Sequence, residues 1–377
     1  MSKKQLRDAT DRPDWRGNSR MRRYHPWRQK IELRTPNRGK AITDSLTTVT
    51  LDPVAMDLAA ELEPLPRVVH FLANFPATML RLEAPKWARR HQLGHYGGGI
   101  MGGILRMQSS QALANRFRVA RSRQTDLNAL KQSIRDYAAS QGFALCGVTR
   151  VDRRFIADGQ DDAFPYDTAL VLGMEMDAAL LDEMPSPGDK LVDFEVYVEA
   201  GKRVFDVANF IRRQGYRCVA RIPFDGQVKY PPHAVMAGLA ELGANGVALT
   251  PQFGPRQRWC MISVEAELAP DPPADFGFAD YCEACRLCVY GCPGRAISAE
   301  RIWWRGVYKH KVNTAHCWPY FVKFEGCAIC LKVCPFHRFG YEACMAAYQA
   351  DGTILGRPKG IDRFLARQKA TTLPPAA

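Results

Sequence analysis

The sequence of 377 residues predicts an α/β domain followed directly by a smaller α+β domain that is rich in cysteine. Helix-like and strand-like segments alternate between residues 125 and 275, and eight of the twelve cysteines lie between Cys282 and Cys334. A third observation separates the front of the chain, because residues 1–124 carry the whole net charge of +13. We therefore expect a basic, partly flexible extension at 1–124, an α/β domain at 125–275, a metal-binding domain at 276–345 and a tail at 346–377.

The periodicity of apolar residues places the elements of the α/β domain. Helices are predicted at 125–142, where Thr125 or Asp126 is the N-cap, at 194–216, and at 231–246, which proline opens and glycine closes. Short apolar runs predict strands at 143–151, 168–176, 217–224, 247–251 and 258–268. Strands interleaved with helices predict an α/β sandwich.

Composition and charge limit the class of protein. With 46% hydrophobic and 24% charged residues the chain is globular, and no apolar run reaches the roughly 18 residues of a membrane-spanning helix. Arg22 and Arg23 are followed by charged residues instead of an apolar export signal, so we expect a cytoplasmic protein. The basic extension either contacts an acidic partner, such as RNA, an anionic protein or a membrane surface, or is a solvated segment; its Pro, Gly and Asn content favours the second.

The cysteines are spaced as iron–sulfur ligands. Residues 282–293 read CEACRLCVYGCP, the C-x2-C-x2-C-x3-C-P run of bacterial ferredoxins. Residues 327–335 repeat its C-x2-C-x3-C-P ending, and Cys317 offers the missing thiolate. The motif predicts two [4Fe-4S] clusters with crossed ligation. One is held by Cys282, Cys285, Cys288 and Cys334, and the other by Cys292, Cys317, Cys327 and Cys330.

Other interpretations of the cysteines are weaker. Structural zinc also uses C-x2-C pairs, but three cysteines at successive x2 spacings followed by x3-C-P are cramped for it. Disulfides are not expected in a reducing compartment. Cys146, Cys218, Cys260 and Cys344 have no metal-ligand spacing, and we interpret them as free core thiols.

Four segments carry a resemblance to a known family. They are GFALCGVT (142–149), FIRRQGY (210–216), AGLAELGANGVALTPQFGPRQR (237–258) and CWPYFVKFEGCAICLKVCPF (317–336). Between residues 125 and 340 the chain resembles the corrinoid-dependent reductases, which include the reductive dehalogenases and the epoxyqueuosine reductases. The third segment is similar to the sequence that the dehalogenase branch has at this position. The epoxyqueuosine branch has a GWIGKN-like sequence there instead.

The resemblance implies a nitroreductase-like α/β sandwich that binds a cobamide, largely through backbone contacts. Asp225, Thr250, Phe253 and Gly254 are the candidate contacts. It also implies a tyrosine that donates a proton and a cation that stabilises the resulting phenolate. Alignment on FIRRQGY and on the GPRQR ending puts these roles at Tyr197 and Arg258. Spacing alone would instead make Tyr197 a core residue and Arg258 a surface charge.

Some family roles do not transfer cleanly. Asp225 falls where many dehalogenases have asparagine, and Lys229 or Tyr230 falls near the catalytic aspartate position of the epoxyqueuosine branch. We also expect neither the twin-arginine leader of respiratory dehalogenases nor the fused reductase module of the catabolic ones in this protein. We therefore expect a separate low-potential donor, a ferredoxin or a flavodoxin with its reductase.

Three functions follow from these observations. The first is a cobamide-dependent reductase that removes halide from an organohalide, with electrons passing through the two clusters. The second is a tRNA-modifying epoxyqueuosine reductase, for which the basic extension would grip RNA. The third is a ferredoxin-like electron-transfer protein without corrinoid.

Overall fold

The computed structural model describes residues 119–156, 164–184, 192–223, 228–304, 307–313, 316–317, 320–321, 327–358 and 360–362. Residues 1–118 of the predicted extension, Asp225 and residues 363–377 of the predicted tail lie outside this set. In the described parts, no helix is long and apolar enough to cross a membrane.

The helices and strands fall into two parts, one before and one after residue 264. The first part contains α1 (Leu127–Ser140), β1 (Leu145–Arg150), β2 (Thr168–Glu175), α2 (Ala178–Glu183), α3 (Val192–Arg213), β3 (Cys218–Arg221), α4 (Tyr230–Met236), β4 (Glu241–Leu242), β5 (Ala248–Leu249) and β6 (Gln257–Val264). The second part contains α5 (Phe278–Cys285), α6 (Leu287–Gly291), β7 (Ile297–Trp304), β8 (Val307–Val312), α7 (Ile329–Lys332), α8 (Pro335–Arg338) and α9 (Tyr341–Asp351).

The central sheet has four strands in the order β1-β2-β6-β3, and all three neighbouring pairs are antiparallel. In this register Met174 of β2 lies opposite Arg258 of β6. Mixed helices and strands confirm the α/β class that the sequence predicted.

Helices cover both faces of the sheet, because alternate residues of a strand point in opposite directions. Leu170 and Leu172 of β2 pack in one core cluster with residues of α1 and α3. Ala169 and Val171 pack in a second cluster, with residues of α4. The sheet is therefore buried on both sides, and Tyr197 of α3 lies on the same side as the first cluster.

The helix predicted at 231–246 is much shorter in the structure, so that prediction was wrong in its second half. α4 stops at Met236, and Gly238 has a positive φ of +67°. A Cβ at Gly238 would lie 2.2 Å from the carbonyl oxygen of Pro272, so only glycine fits there. The chain then forms the small β4–β5 hairpin.

The first described residues lie against the end of α3. Ala120 N donates to Arg212 O at 2.9 Å, and the Tyr216 hydroxyl donates to Gln124 O at 2.6 Å. Residues 119–124, which the sequence analysis grouped with the extension, therefore pack against the α/β domain.

The cysteine-rich part has its own aromatic core. The Phe336 ring lies 4.6 Å from that of Phe278 and 4.5 Å from that of Tyr281, measured between ring centroids. Leu355 and Ile361 are buried in the same core, and α9 crosses residue 345. The folded part therefore continues beyond the expected boundary at 345, because the residues after α9 supply apolar side chains to this core.

Candidate metal and active site

Four thiols from two separate parts of the chain line one small cavity. The remaining lining is largely apolar. The lining residues are Ala244, Asn245, Leu249, Tyr281, Cys282, Cys285, Arg286, Cys288, Cys334, Pro335 and Phe336. The four cysteines are those that the crossed ligation assigns to one cluster.

Local sequence brings these thiols to the cavity. Cys282 and Cys285 are three residues apart on α5, so they share a helix face. Arg286 adopts a left-handed conformation with φ of 53°, which ends α5 and lets α6 start in a new direction with Cys288. Cys334 is extended because the next residue is proline, and it caps α8.

The second set of thiols lies around the ends of the β7–β8 hairpin. Ala296 N donates to Cys292 Sγ at 3.2 Å, and Asn313 N donates to Ala296 O at 2.6 Å. Cys317 N in turn donates to Asn313 O at 3.0 Å. Burial raises the pKa of Cys330, and its neighbours in this group raise it further. These neighbours are Cys327, Cys292 and Cys317. This is the second group that the crossed ligation predicts.

Burial raises the pKa of all eight thiols. The pKa of Cys282 rises to about 11, and that of Cys317 also rises to about 11. Nearby backbone N–H groups oppose this effect; those of Phe336 and His337 lower the pKa of Cys334, which burial still raises overall. The thiols are therefore neutral without metal, and iron would have to displace their protons.

The thiol groups fit a cluster of several iron atoms. Thiolate sulfur is the ligand that iron–sulfur clusters use, and N–H groups directed at sulfur are typical of such sites. Among the described residues, no group of three or more Cys, His, Asp or Glu side chains is arranged to hold a metal ion.

Tyr197 and Arg258 meet across the α3–β6 contact. The guanidinium carbon of Arg258 lies 5.1 Å from the centroid of the Tyr197 ring, within the range of a cation–π contact. Both residues are partly exposed. The structure thus brings together the two residues that the resemblance paired, and their chemical roles stay a prediction.

The other predicted contacts lie in the 250–254 turn. Thr250 and Gly254 exchange two backbone hydrogen bonds, and Phe253 N donates to Thr250 Oγ1 at 3.1 Å. A Cβ at Gly254 would lie 2.9 Å from the backbone carbon of Phe336, so this glycine allows the turn to pack against the cysteine-rich part. Cofactor binding by Thr250, Phe253 and Gly254 stays a prediction, as it does for Asp225, which lies outside the described residues.

Tyr230, an alternative proton donor, has a structural role. Its hydroxyl donates to Ile222 O at 2.7 Å and is buried. The neighbouring His233 is fully buried, and Asp152 N donates to its Nε2 at 3.1 Å, while Nδ1 lies 2.9 Å from Lys229 O. Burial lowers the pKa of His233, so this histidine is a neutral core residue.

The 237–258 segment touches both thiol groups. The Ala244 N–H lowers the pKa of Cys282, which burial raises more strongly, and Asn245 Nδ2 lies 3.5 Å from Cys330 O. Ala328 and Leu331, which flank Cys330, pack on the core cluster that contains α3. The α/β domain and the thiol groups are therefore in direct contact.

Sequence reasoning missed Asn245 and Arg286, both of which line the cavity. Asn245 lies inside the segment that carried the resemblance, and Arg286 lies between two ligand cysteines, so position in the motif was the available signal. The four cysteines without ligand spacing are free, and burial raises the pKa of each.

No family model matches the chain, but several curated proteins do. A tetrachloroethene reductive dehalogenase of Desulfitobacterium hafniense is 34% identical over 138 residues, which are 37% of this chain and 25% of the relative. That of Sulfurospirillum multivorans is 33% identical over 144 residues, 35% of this chain and 28% of the relative. An epoxyqueuosine reductase of Lactococcus garvieae is 28% identical over 120 residues, 28% of this chain and 31% of the relative. The chain thus spans about a quarter to a third of the length of these relatives.

Solved structures show the same fold. A reductive dehalogenase whose structure suggests a mechanism for B12-dependent dehalogenation aligns with a TM-score of 0.55 and 23% identity, over 70% of this chain and 41% of that one. A catabolic reductive dehalogenase in complex with 3-bromo-4-hydroxybenzoic acid aligns with a TM-score of 0.54 and 23% identity, over 71% and 41%. These matches confirm the resemblance found in the sequence: the chain is similar to reductive dehalogenases and, over a shorter stretch, to an epoxyqueuosine reductase, and it shares the fold of solved reductive dehalogenases.

Proposed function

We propose that the chain is a cobamide-dependent reductive dehalogenase with two [4Fe-4S] clusters. The net reaction replaces a carbon–halogen bond by a carbon–hydrogen bond, consuming two electrons and one proton and releasing halide. The observation that carries the proposal is the convergence of Cys282, Cys285, Cys288 and Cys334 on one cavity, next to the α/β domain.

The two thiol groups would hold the electron path. Each group would provide four sulfur ligands. The last cysteine of each motif would bind the cluster of the other motif, which places Cys292 in the second group and Cys334 in the first. Both groups contact the 237–258 segment, so electrons would reach the α/β domain over short distances. We propose that these electrons come from a separate low-potential ferredoxin or flavodoxin.

Tyr197 would supply the proton. A phenol is a weak acid, with an ordinary pKa of about 10, so it donates readily only if its anion is stabilised. The positive guanidinium of Arg258, 5.1 Å from the ring centroid, favours the phenolate that remains after donation. Arg258 is held in turn by the register of β6 on β2, where it faces Met174.

The cobamide is supported by the solved reductive dehalogenase whose structure suggests a mechanism for B12-dependent dehalogenation. When bound, a cobamide supplies low-valent cobalt, which is a strong reductant and a nucleophile. The share of this chain is to orient the substrate, exclude water and hold the proton at the Tyr197 hydroxyl.

Epoxyqueuosine reduction is the second candidate. It is favoured by the similarity to the relative from Lactococcus garvieae. It is also favoured by the basic charge of residues 1–124, which contain 23 Lys and Arg against 10 Asp and Glu. The segment 237–258 favours the dehalogenase instead, because it lacks a GWIGKN-like sequence.

One assay separates the two candidates. The chain is purified without oxygen in the presence of cobalamin, reduced chemically, and given either tetrachloroethene, 3-bromo-4-hydroxybenzoic acid or tRNA that contains epoxyqueuosine. We expect halide release from an organohalide, measured by ion chromatography, and no queuosine formation. Conversion of the tRNA without halide release would overturn the proposal in favour of the second candidate.

A further inference from the structure

Arg286 lies at the wall of the first thiol cavity. Among the described residues that line this cavity, it is the one with a charged side chain. Its side chain is only 13% exposed, and its position between Cys285 and Cys288 is fixed by the left-handed backbone that separates α5 from α6. A cation is thus built into the ligand loop itself.

Hydrogen bonds hold the guanidinium in place. Its Nε donates to Glu283 O at 2.8 Å, and its terminal nitrogens donate to Glu283 Oε1 and to Ala299 O. Glu283 also pairs with Arg301, whose Nε lies 3.4 Å from Glu283 Oε2. His310 Nε2 lies 3.1 Å from the same oxygen, and burial lowers the pKa of His310, so it adds no charge. One carboxylate therefore faces two guanidinium groups, and this network has a net positive charge.

A positive charge beside a cluster favours its reduced form. One-electron reduction makes the charge of a cluster with four thiolates more negative by one unit. The cluster receives that electron from the other cluster or from the donor protein. Coulomb attraction between the guanidinium and the added electron stabilises the reduced form, and this attraction is stronger where protein excludes water. Net charge and hydrogen bonds are known controls of cluster potential.

We propose that Arg286 is a positioning residue that raises the reduction potential of the cluster held by Cys282, Cys285, Cys288 and Cys334. Electrons that enter at the second thiol group then collect on the first. All four cysteines of the second group are partly exposed, whereas Cys285 and Cys334 of the first are more deeply buried, which suits this direction of flow. This inference rests on the proposed function, because it requires the clusters.

The test is a potentiometric titration of the purified holoprotein, followed by electron paramagnetic resonance of each cluster. Arg286→Asn removes the charge but keeps a residue that tolerates the left-handed backbone, and Arg286→Lys keeps the charge. We expect Arg286→Asn to lower the ratio of reduced to oxidised first cluster by about tenfold at fixed potential, and Arg286→Lys to restore most of it. The second cluster should shift much less.

Two further variants keep the test decisive. Arg203→Asn breaks an exposed pair with Glu199 on α3 and is the matched control, with no expected shift. Glu283→Gln removes the opposing carboxylate and should shift the reduction potential of the first cluster in the positive direction. This variant tests the inference if the Arg286→Asn protein loses iron. An unchanged potential in the Arg286→Asn and Glu283→Gln proteins would overturn the inference. Absence of iron in the unaltered protein would instead overturn the proposed function.

Discussion

The central sheet and the cysteine-rich part of the same chain are stabilised by different means. β2 and β6 pair over eight residues in unbroken register, and their side chains are buried on both faces. The thiol region instead consists of helices of four to eight residues around the ligands, joined by residues with positive φ such as Arg286 and Ala328. Such short helices have little stability of their own. The apolar pattern therefore stabilises the sheet by itself, whereas we expect the thiol region to depend on the clusters that its thiols would hold.

The largest expected effect is loss of a whole cluster from a single distant cysteine. Cys334→Ser should remove the same cluster as Cys288→Ser, because both thiols line one cavity although 46 residues separate them. Iron should fall from about eight to about four atoms per chain. Cys292→Ser should remove the other cluster, which iron analysis and electron paramagnetic resonance distinguish.

Cys344→Ser is the matched control for these variants. Cys344 is a buried free thiol in the same core, and its loss should leave all the iron bound. If Cys334→Ser and Cys288→Ser removed different clusters, the crossed ligation would be wrong.

The next effect concerns the contact between α3 and the central sheet, where Tyr197 lies beside Arg258. Tyr197→Phe removes only a hydroxyl, so the fold and cofactors should remain, while turnover falls by ~10² or more. Arg258→Met should cause a similar loss, and the double variant should lose little more, because the residues act as one unit. Steady-state halide release measures all three.

Tyr216→Phe is the control for Tyr197→Phe. Its hydroxyl bonds to Gln124 O at the far end of α3, so turnover should be unchanged. Full activity of Tyr197→Phe would refute the proton-donor role and direct the search to Lys229, Asp225 or Tyr230.

A moderate effect is expected from a cavity in the sheet core. Leu172 is fully buried on the α3 face, and Leu172→Ala should lower the free energy of unfolding by about 2–5 kcal/mol. The first cluster should keep its iron, because its four cysteines pack in a different core cluster from Leu172. Denaturant unfolding followed by circular dichroism, with iron analysis of the native protein, checks both. Loss of iron in this variant would show that the two regions fold as one unit.

The smallest effect is expected from the front of the chain. Deletion of residues 1–40 removes 13 basic residues and no cysteine, so iron and corrinoid should stay bound. Metal analysis of the truncated protein provides the measurement. If both cofactors were lost, the extension would be a folded cap and the prediction of a flexible segment would be wrong.

Sequence predicted those features that depend on local spacing. The two groups of four cysteines follow from the motif, and the structure brings the first group to one cavity. The 231–246 helix was mispredicted because Gly238 contacts Pro272, a residue 34 positions later, and because β4 pairs with β5. Arg286 was missed for a similar reason, since its partner Ala299 becomes a neighbour only in the folded chain.

The content of iron, zinc and cobalt in the protein purified without oxygen and with cobalamin supplied tests the central claim most directly. Two four-iron clusters and one cobamide predict about eight iron atoms and about one cobalt atom per chain. Stoichiometric zinc in place of iron would contradict the cluster assignment. Eight iron atoms without cobalt would contradict the cobamide-dependent reductase and leave an electron-transfer protein.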